Sequence, residues 1–165
     1  MTIFVKNKHA LQFDEFEFKC CIGEKGLTSK KKEGDKKTPK GLYSLGSVYF
    51  RSDRIQKIHT NLKKIKINQN MGWCDDGNST HYNKLININK MRNIRYEKLF
   101  RKSSNYDILI PIQYNVNKTI KNKGSAIFLH LTSNYQKTLG CIAIKRKDML
   151  ILLKLINQNT KILIS

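Results

Sequence analysis

Short runs of alternating apolar and polar residues, the period of half-buried β-strands, recur along most of this chain. Ile3 to Lys6 begins the pattern. Leu11 to Ile22 continues it, with Leu11 and Phe13 on one phase and Phe16, Phe18, Cys20 and Ile22 on the other. That phase change predicts a turn or bulge at Asp14-Glu15. Gly23 to Gly41 is polar and glycine-punctuated, holds Pro39 and the basic run Lys30-Lys31-Lys32, and reads as a long loop. Leu42 to Phe50 is rich in Tyr and Phe and alternates less cleanly. Between Ile55 and Ile67, the residues Ile58, Leu62 and Ile65 fit a helix while Ile65 and Ile67 fit a strand, so both readings stay open. Tyr106 to Tyr114 predicts a strand, which Pro111 assigns to an edge or a bulge. Asn115 to Gly124 is a polar connection, and Ser125 to Leu131 is a short buried strand followed by the polar loop Thr132 to Lys137. After Cys141 the period lengthens. Met149, Leu150, Leu152, Leu153 and Ile156 give one apolar face from Lys147 to Asn157, which predicts a helix, and Thr160 to Ile164 returns to strand. The fold class that follows is mainly β, two packed or partly closed sheets with one main helix after Cys141.

Composition narrows this to one domain, residues 1–165: the chain of 165 residues, 39% hydrophobic, is long enough for one core and short for two. The formal charge of +20, from 32 Lys+Arg against 12 Asp+Glu, suits a polyanionic partner such as nucleic acid, anionic lipid or an acidic wall polymer. Charge alone does not choose among them, and no RNP, helix-turn-helix or KH pattern accompanies it. A non-catalytic basic module binding nucleic acid or an anionic polymer is therefore one functional class to carry forward. Four cysteines, Cys20, Cys21, Cys74 and Cys141, lack C-x-x-C spacing, and the adjacent Cys20 and Cys21 point to opposite faces of a strand, so no disulfide framework is expected. Cys74, His81, His130 and Cys141 are zinc-ligand types without paired-ligand spacing, so neither a metal nor a cofactor is predicted. The N-terminal Met1 to Lys6 has too few apolar residues for a signal segment, and no stretch approaches the ~20 apolar residues of a spanning helix.

The second functional class is enzymatic and rests on His130 and Cys141. His130 ends one apolar run, and Cys141 opens another after Gly140, a residue able to take φ > 0 and let the backbone approach a ligand. Nucleophilic cysteine catalysis needs a base to take the thiol proton and backbone N–H groups for the oxyanion, and this segment has candidates for all three parts. The plainer interpretation is a core histidine and a small buried cysteine. A second notable stretch, Gly72-Trp73-Cys74-Asp75-Asp76, holds the single Trp and two carboxylates beside turn residues, and the residues alone favour a buried Trp followed by an Asx-type turn.

Three blocks in order along the chain resemble the L,D-transpeptidase catalytic domain (YkuD) family. They are Lys32-Glu33-Gly34-Asp35-Lys36-Lys37-Thr38-Pro39-Lys40-Gly41, then Gly72 to Asp76 with His81-Tyr82-Asn83, and Ser125 to His130 with Thr138-Leu139-Gly140-Cys141. The common family motif has His before Gly-Cys and Arg or Asn two residues after the Cys, where this chain carries Leu139 and Ala143, so it looks like a small, divergent, stand-alone member. The resemblance implies an L,D-transpeptidase fold, a Cys141 nucleophile, a His130 base and an oxyanion hole of N–H groups around Gly140 and Cys141. It implies peptidoglycan stem peptides as partner, with Lys32 or Lys36 facing a substrate carboxylate and Thr138 beside the nucleophile. Trp73, Asp75, Asp76, His81 and Tyr82 would then wall the pocket or orient His130 and the substrate's amino group. The implied reaction is acyl transfer through a thioester, with carboxypeptidase or amidase chemistry if water replaces the amine. The family works outside the cytoplasmic membrane, so the cell envelope is implied, with a cytosolic role as the alternative.

Overall fold

Alternation decides the architecture. In the computed structural model, which describes residues 1–6 and 9–165, the chain is 36% strand and 10% helical. In chain order the strands are β1 (Thr2–Lys6), β2 (Ala10–Phe13), β3 (Phe16–Cys21), β4 (Leu27–Thr28), β5 (Thr38–Pro39), β6 (Gly41–Ser44), β7 (Val48–Phe50) and β8 (Lys64–Lys66). They continue with β9 (Met71–Cys74), β10 (Leu85–Asn87), β11 (Tyr96–Lys98), β12 (Ile108–Pro111), β13 (Phe128–Leu131) and β14 (Ile142–Ile144). Helix α1 (Arg146–Leu155) and β15 (Lys161–Ile164) complete the chain. Ten strands form one curled, half-barrel sheet in the order β6-β15-β1-β2-β3-β14-β13-β12-β7-β8, β9 sits between β10 and β11 in a small sheet, and β4 pairs with β5.

Period-two alternation divides the central strands between two apolar clusters. Val48 and Phe50, Ile108 and Ile110, Leu129 and Leu131, and Ile142 and Ile144 face the larger core, where Met149, Leu152 and Leu153 of α1 and the following Ile156 cover them. Their alternates Tyr49, Leu109, Phe128 and Cys141 face the other way and meet Trp73 of the small sheet, together with Leu99 and Tyr106. The site-bearing strands are thus buried on both faces, which is why they read as nearly unbroken apolar runs.

Several expectations are refined. The turn at Asp14-Glu15 is present, with Asp14 at φ 49 between β2 and β3. Helix α1 starts at Arg146 and ends at Leu155, and Asp148 in its first turn complements the dipole. The Ile55–Ile67 segment makes no helix: Ile55, Ile58 and Leu62 are buried from irregular backbone, and only Lys64–Lys66 pairs, as an edge strand. Burial without periodicity is what made that pattern ambiguous. Pro111 lies in an interior strand rather than at an edge, between β13 and β7. Its carbonyl accepts from Gly46 N–H at 2.8 Å, so its missing donor faces the irregular stretch before β7 and removes no ladder bond. The Gly23–Gly41 loop is more ordered than a solvent loop, since it contains the β4–β5 pair. The strand expected from Ser125 begins only at Phe128, because Ala126 sits in the left-handed region at φ 51. No helix among the described residues is long and apolar enough to cross a membrane.

Candidate active site

The parallel pairing of β13 with β14 sets His130 opposite Ala143 and Leu129 opposite Ile142. Phe128 is therefore the cross-strand neighbour of Cys141, and His130, two residues on, is its diagonal neighbour on the same face. Strand spacing and rise put their Cα atoms roughly 8 Å apart; the sulfur is bonded to the Ala126 and Phe128 backbone and the ring to Leu131 O, and among the described residues no hydrogen bond joins thiol to imidazole. Both side chains reach the wall of one cleft of about 670 Å³, which Gly140, Thr138 and Ala126 also line.

Backbone groups hold the sulfur. Phe128 N–H donates to Cys141 Sγ at 3.3 Å and the thiol donates to Ala126 O at 3.2 Å. Burial, reinforced by the Glu97 carboxylate, pushes the Cys141 thiol up to about 12, against the pull of Phe128 N–H, Arg101 and Lys31. Burial pulls His130 down to about 4; the Arg101 guanidinium adds to this, while bonds to the Leu131 and Asn105 backbone oppose it. At neutral pH the pair rests as thiol and neutral imidazole. His130 Nδ1 lies 2.9 Å from Leu131 O. A carbonyl only accepts, so the proton belongs on Nδ1 and the lone pair on Nε2. Tyr106 packs against the ring at 5.2 Å between centroids and fixes its plane.

The turn that carries Cys141 is clamped from the loop that precedes it in sequence by a hundred residues. Thr38 Oγ1 donates to Gly140 O at 2.8 Å and accepts from Gly23 N–H at 2.9 Å, while Glu24 N–H donates to Thr138 O at 2.8 Å. Within the turn, Thr138 Oγ1 donates to Cys141 O at 2.6 Å and accepts from Gly140 N–H at 3.1 Å. Gly140 takes φ 141, and a Cβ there would stand 2.9 Å from Lys37 O. Only glycine fits this position.

Behind the sulfur a buried amide ties two of the sequence blocks together. Asn83 Oδ1 accepts from Trp73 Nε1 at 2.9 Å and from Ala126 N–H at 3.1 Å, and its amide donates to Tyr114 O at 3.0 Å and Asn115 O at 2.8 Å. These bonds hold Ala126 in its strained conformation, and with it the carbonyl that meets Sγ. Trp73 stacks edge-to-face on Phe128 at 5.2 Å, so it supports the cleft from behind.

Of the residues singled out from sequence, Lys36, Asp75 and Thr138 line the cleft with His130, Gly140 and Cys141, whereas Lys32, Trp73, Asp76, His81 and Tyr82 do not. Lys32 and His81 are exposed, and Asp76 binds the Asn78 and Arg95 backbone N–H groups at 3.0 and 3.4 Å. Tyr82 is buried and donates to Glu33, a cleft residue that also accepts from Ser125 Oγ at 2.7 Å. Lys36 pairs with Glu24 at 3.2 Å and Asp75 with Arg95 at 3.1 Å. Lys31, not its neighbour Lys32, is the buried lysine of the wall, paired with Asp35. Glu97, Arg101 and Tyr106 are further wall residues that periodicity did not flag. The zinc-ligand types Cys74, His81, His130 and Cys141 are not gathered: among the described residues no three or more His, Cys, Asp or Glu side chains are placed to hold a metal.

Comparison with known proteins gives the family and the fold. The family model of the L,D-transpeptidase catalytic domain, YkuD, matches residues 1–164. No curated protein gives a match. The solved structure of Bdellovibrio bacteriovorus Bd1075 shares the fold at a TM-score of 0.52 and 16% identity, over 99% of this chain and 47% of that one. The chain thus spans about half the length of that protein. With the family match reaching from the first strand to the last, the chain belongs to the L,D-transpeptidase catalytic domain (YkuD) family.

Proposed function

We propose that residues 1–165 form a single catalytic domain in which Cys141 and His130 carry out acyl transfer on peptidoglycan stem peptides. The family acts on peptidoglycan, and the observation that carries the reading is the placement of the two side chains on one face of adjacent strands, in the wall of the same cleft. His130 Nε2 takes the thiol proton as Cys141 Sγ attacks an amide carbonyl of the stem peptide. Because the resting groups are both neutral, this proton moves with the attack rather than ahead of it. The tetrahedral oxyanion is held by N–H groups around Gly140 and Cys141; to use Gly140 N–H it must displace the Thr138 hydroxyl that occupies it at rest. Collapse breaks the C–N bond, His130 returns the proton to the leaving amine, and a thioester remains on Cys141. An amine of a second stem then attacks the thioester, giving an L,D cross-link and regenerating the thiol; attack by water gives carboxypeptidase chemistry from the same intermediate.

Intact-mass measurement after exposure to a carbapenem and to a stem tetrapeptide tests this reading. One covalent adduct is expected with the carbapenem, together with loss of the terminal residue from the peptide, and Cys141→Ala abolishes both. An adduct that persists in the Cys141→Ala protein refutes the role of this sulfur. The products of the peptide reaction report whether amine or water is the acceptor.

A further inference from the structure

The loop from Thr132 to Lys137, between β13 and the Cys141 turn, separates two hollows, and Asn134 and Lys137 line both. One is the cleft already described. The other, of about 770 Å³, is lined by Cys20 and Cys21 of β3, by Tyr135, and by the first residues of the Gly23–Gly41 loop. It gathers positive charge. Lys19, Lys25 and Lys137 line it and are exposed. Lys19 Nζ stands over the Tyr135 ring, 4.7 Å from its centre, and Lys145 Nζ stands over the same ring at 5.4 Å. None of these four lysines pairs with a carboxylate among the described residues. Glu24, the acidic residue of the wall, is bound to Lys36 at 3.2 Å. Asp148 also stands near Tyr135, but it is buried in the first turn of α1 and meets no ammonium at pairing distance among the described residues. The wall that carries Tyr135 is fixed: Tyr135 holds φ 57, its N–H donates to Thr132 Oγ1 at 2.9 Å, and the Cys21 thiol donates to Gln136 O at 3.1 Å.

Four ammonium groups around one loop repel each other, and an anion seated in the hollow removes that repulsion. Three features narrow the anion. The cations of the hollow are lysines without an arginine fork, so they recognise charge rather than planar geometry. The surface is concave, which admits a thread-like ligand and not the flat face of a bilayer. Tyr135, its aromatic residue, is already engaged by two ammonium groups, so a nucleic-acid base gains no stacking platform. We propose that this hollow is a docking site for a flexible, base-free polyanion, a chain with one negative charge per repeat. The +20 charge of the chain thereby has a place to act. The site goes beyond the acyl-transfer reading and does not depend on it, although a bound strand lies one loop away from the cleft that holds Cys141.

Fluorescence anisotropy across a salt series tests this, with a labelled synthetic oligomer of glycerol phosphate as the probe. The triple variant Lys19→Gln, Lys25→Gln, Lys145→Gln is compared with Lys84→Gln, Lys90→Gln, Lys118→Gln, which removes the same charge from exposed positions outside both hollows. The first variant is expected to bind at least about tenfold more weakly than the unsubstituted chain, with a salt slope shallower by about 2, and the second to stay within about threefold. Equal losses in the two variants overturn the site, because diffuse charge then accounts for the binding. Single-stranded DNA with the same number of phosphates and vesicles of phosphatidylglycerol in phosphatidylcholine serve as rivals. Tighter binding of either than of the oligomer, lost in the first variant, overturns the assignment in favour of nucleic acid or membrane. An oligouronate of equal charge separates a carboxylate source from a phosphodiester one, and dependence on the hollow with either supports the site. Acetylation of the unsubstituted chain, read by mass spectrometry, decides the matter even if a variant misfolds. The oligomer should protect Lys19, Lys25 and Lys145 more than Lys84, Lys90 and Lys118, and uniform protection overturns the proposal.

Discussion

Replacing Asn83 by alanine should damage both stability and chemistry, because four hydrogen bonds converge on one buried amide. Trp73 Nε1 and Ala126 N–H would lose their acceptor in the interior, and a buried donor left unpaired costs about 1–3 kcal/mol. The Tyr114 and Asn115 carbonyls are half-buried, so water recovers most of their loss. Alanine at the positive φ of Asn83, 58°, adds about 1–2 kcal/mol. The sum is roughly 3–8 kcal/mol, against a total stability of about 5–15 kcal/mol for a domain. Urea unfolding followed by far-UV circular dichroism measures it as a drop in midpoint at constant slope. Ala126 O would also drift from Cys141 Sγ, so carbapenem acylation slows under conditions where the variant is still folded. A loss below about 1 kcal/mol together with an unchanged acylation rate would show that Asn83 does not hold this site.

Other consequences follow from single contacts. His130 is held down to about 4 against 6.5 for a free imidazole, so the unfolded chain takes up a proton that the folded one refuses. Stability is then fully present above pH 6.5 and falls by about 3 kcal/mol as pH drops toward 4; His130→Gln flattens that slope, and midpoints measured across the window check it. Gly140→Ala forces a side chain against Lys37 O at a φ of 141, so the melting temperature falls by several degrees and acylation of Cys141 is lost. Thr38→Val removes one donor and one acceptor from the clamp on the nucleophile turn and costs about 1–3 kcal/mol in the same unfolding assay. Leu139, 72% exposed at the cleft, should tolerate serine with a stability change within about 0.5 kcal/mol, while the KM for a stem peptide rises.

What was legible in the sequence was local. The short apolar runs of Phe128–Leu131 and Ile142–Ile144, the helical face of Met149 to Ile156, and the Gly140-Cys141 pair each carry their signal within a few residues. The rest depends on contacts between distant segments. Nothing in Ser125-Ala126 announces a left-handed alanine, because the amide that holds it is Asn83, 43 positions earlier. Within Lys30-Lys31-Lys32 no period tells which lysine turns inward; Asp35, four residues beyond Lys31, was the available hint. Lys36 and Lys32 drew attention as part of a block, and only the first reaches the cleft. Glu97 sits in a three-residue strand inside a Lys- and Asn-rich stretch, too short for periodicity to register, although it lies closer to the chemistry than Asp76 or His81.

The two-sided burial of β13 and β14 sorts heritable change by parity. Substitutions at Leu129, Leu131, Ile142 and Ile144 act on the packing under α1, whereas those at Phe128, His130, Cys141 and Ala143 act on the cleft and the cluster behind it. A saturation library scored separately for abundance and for turnover would print this as two interleaved stripes, one residue apart. Change is therefore freest in the outer wall, at positions such as the exposed Leu139, where a new side chain enters the cleft without passing through the folding core.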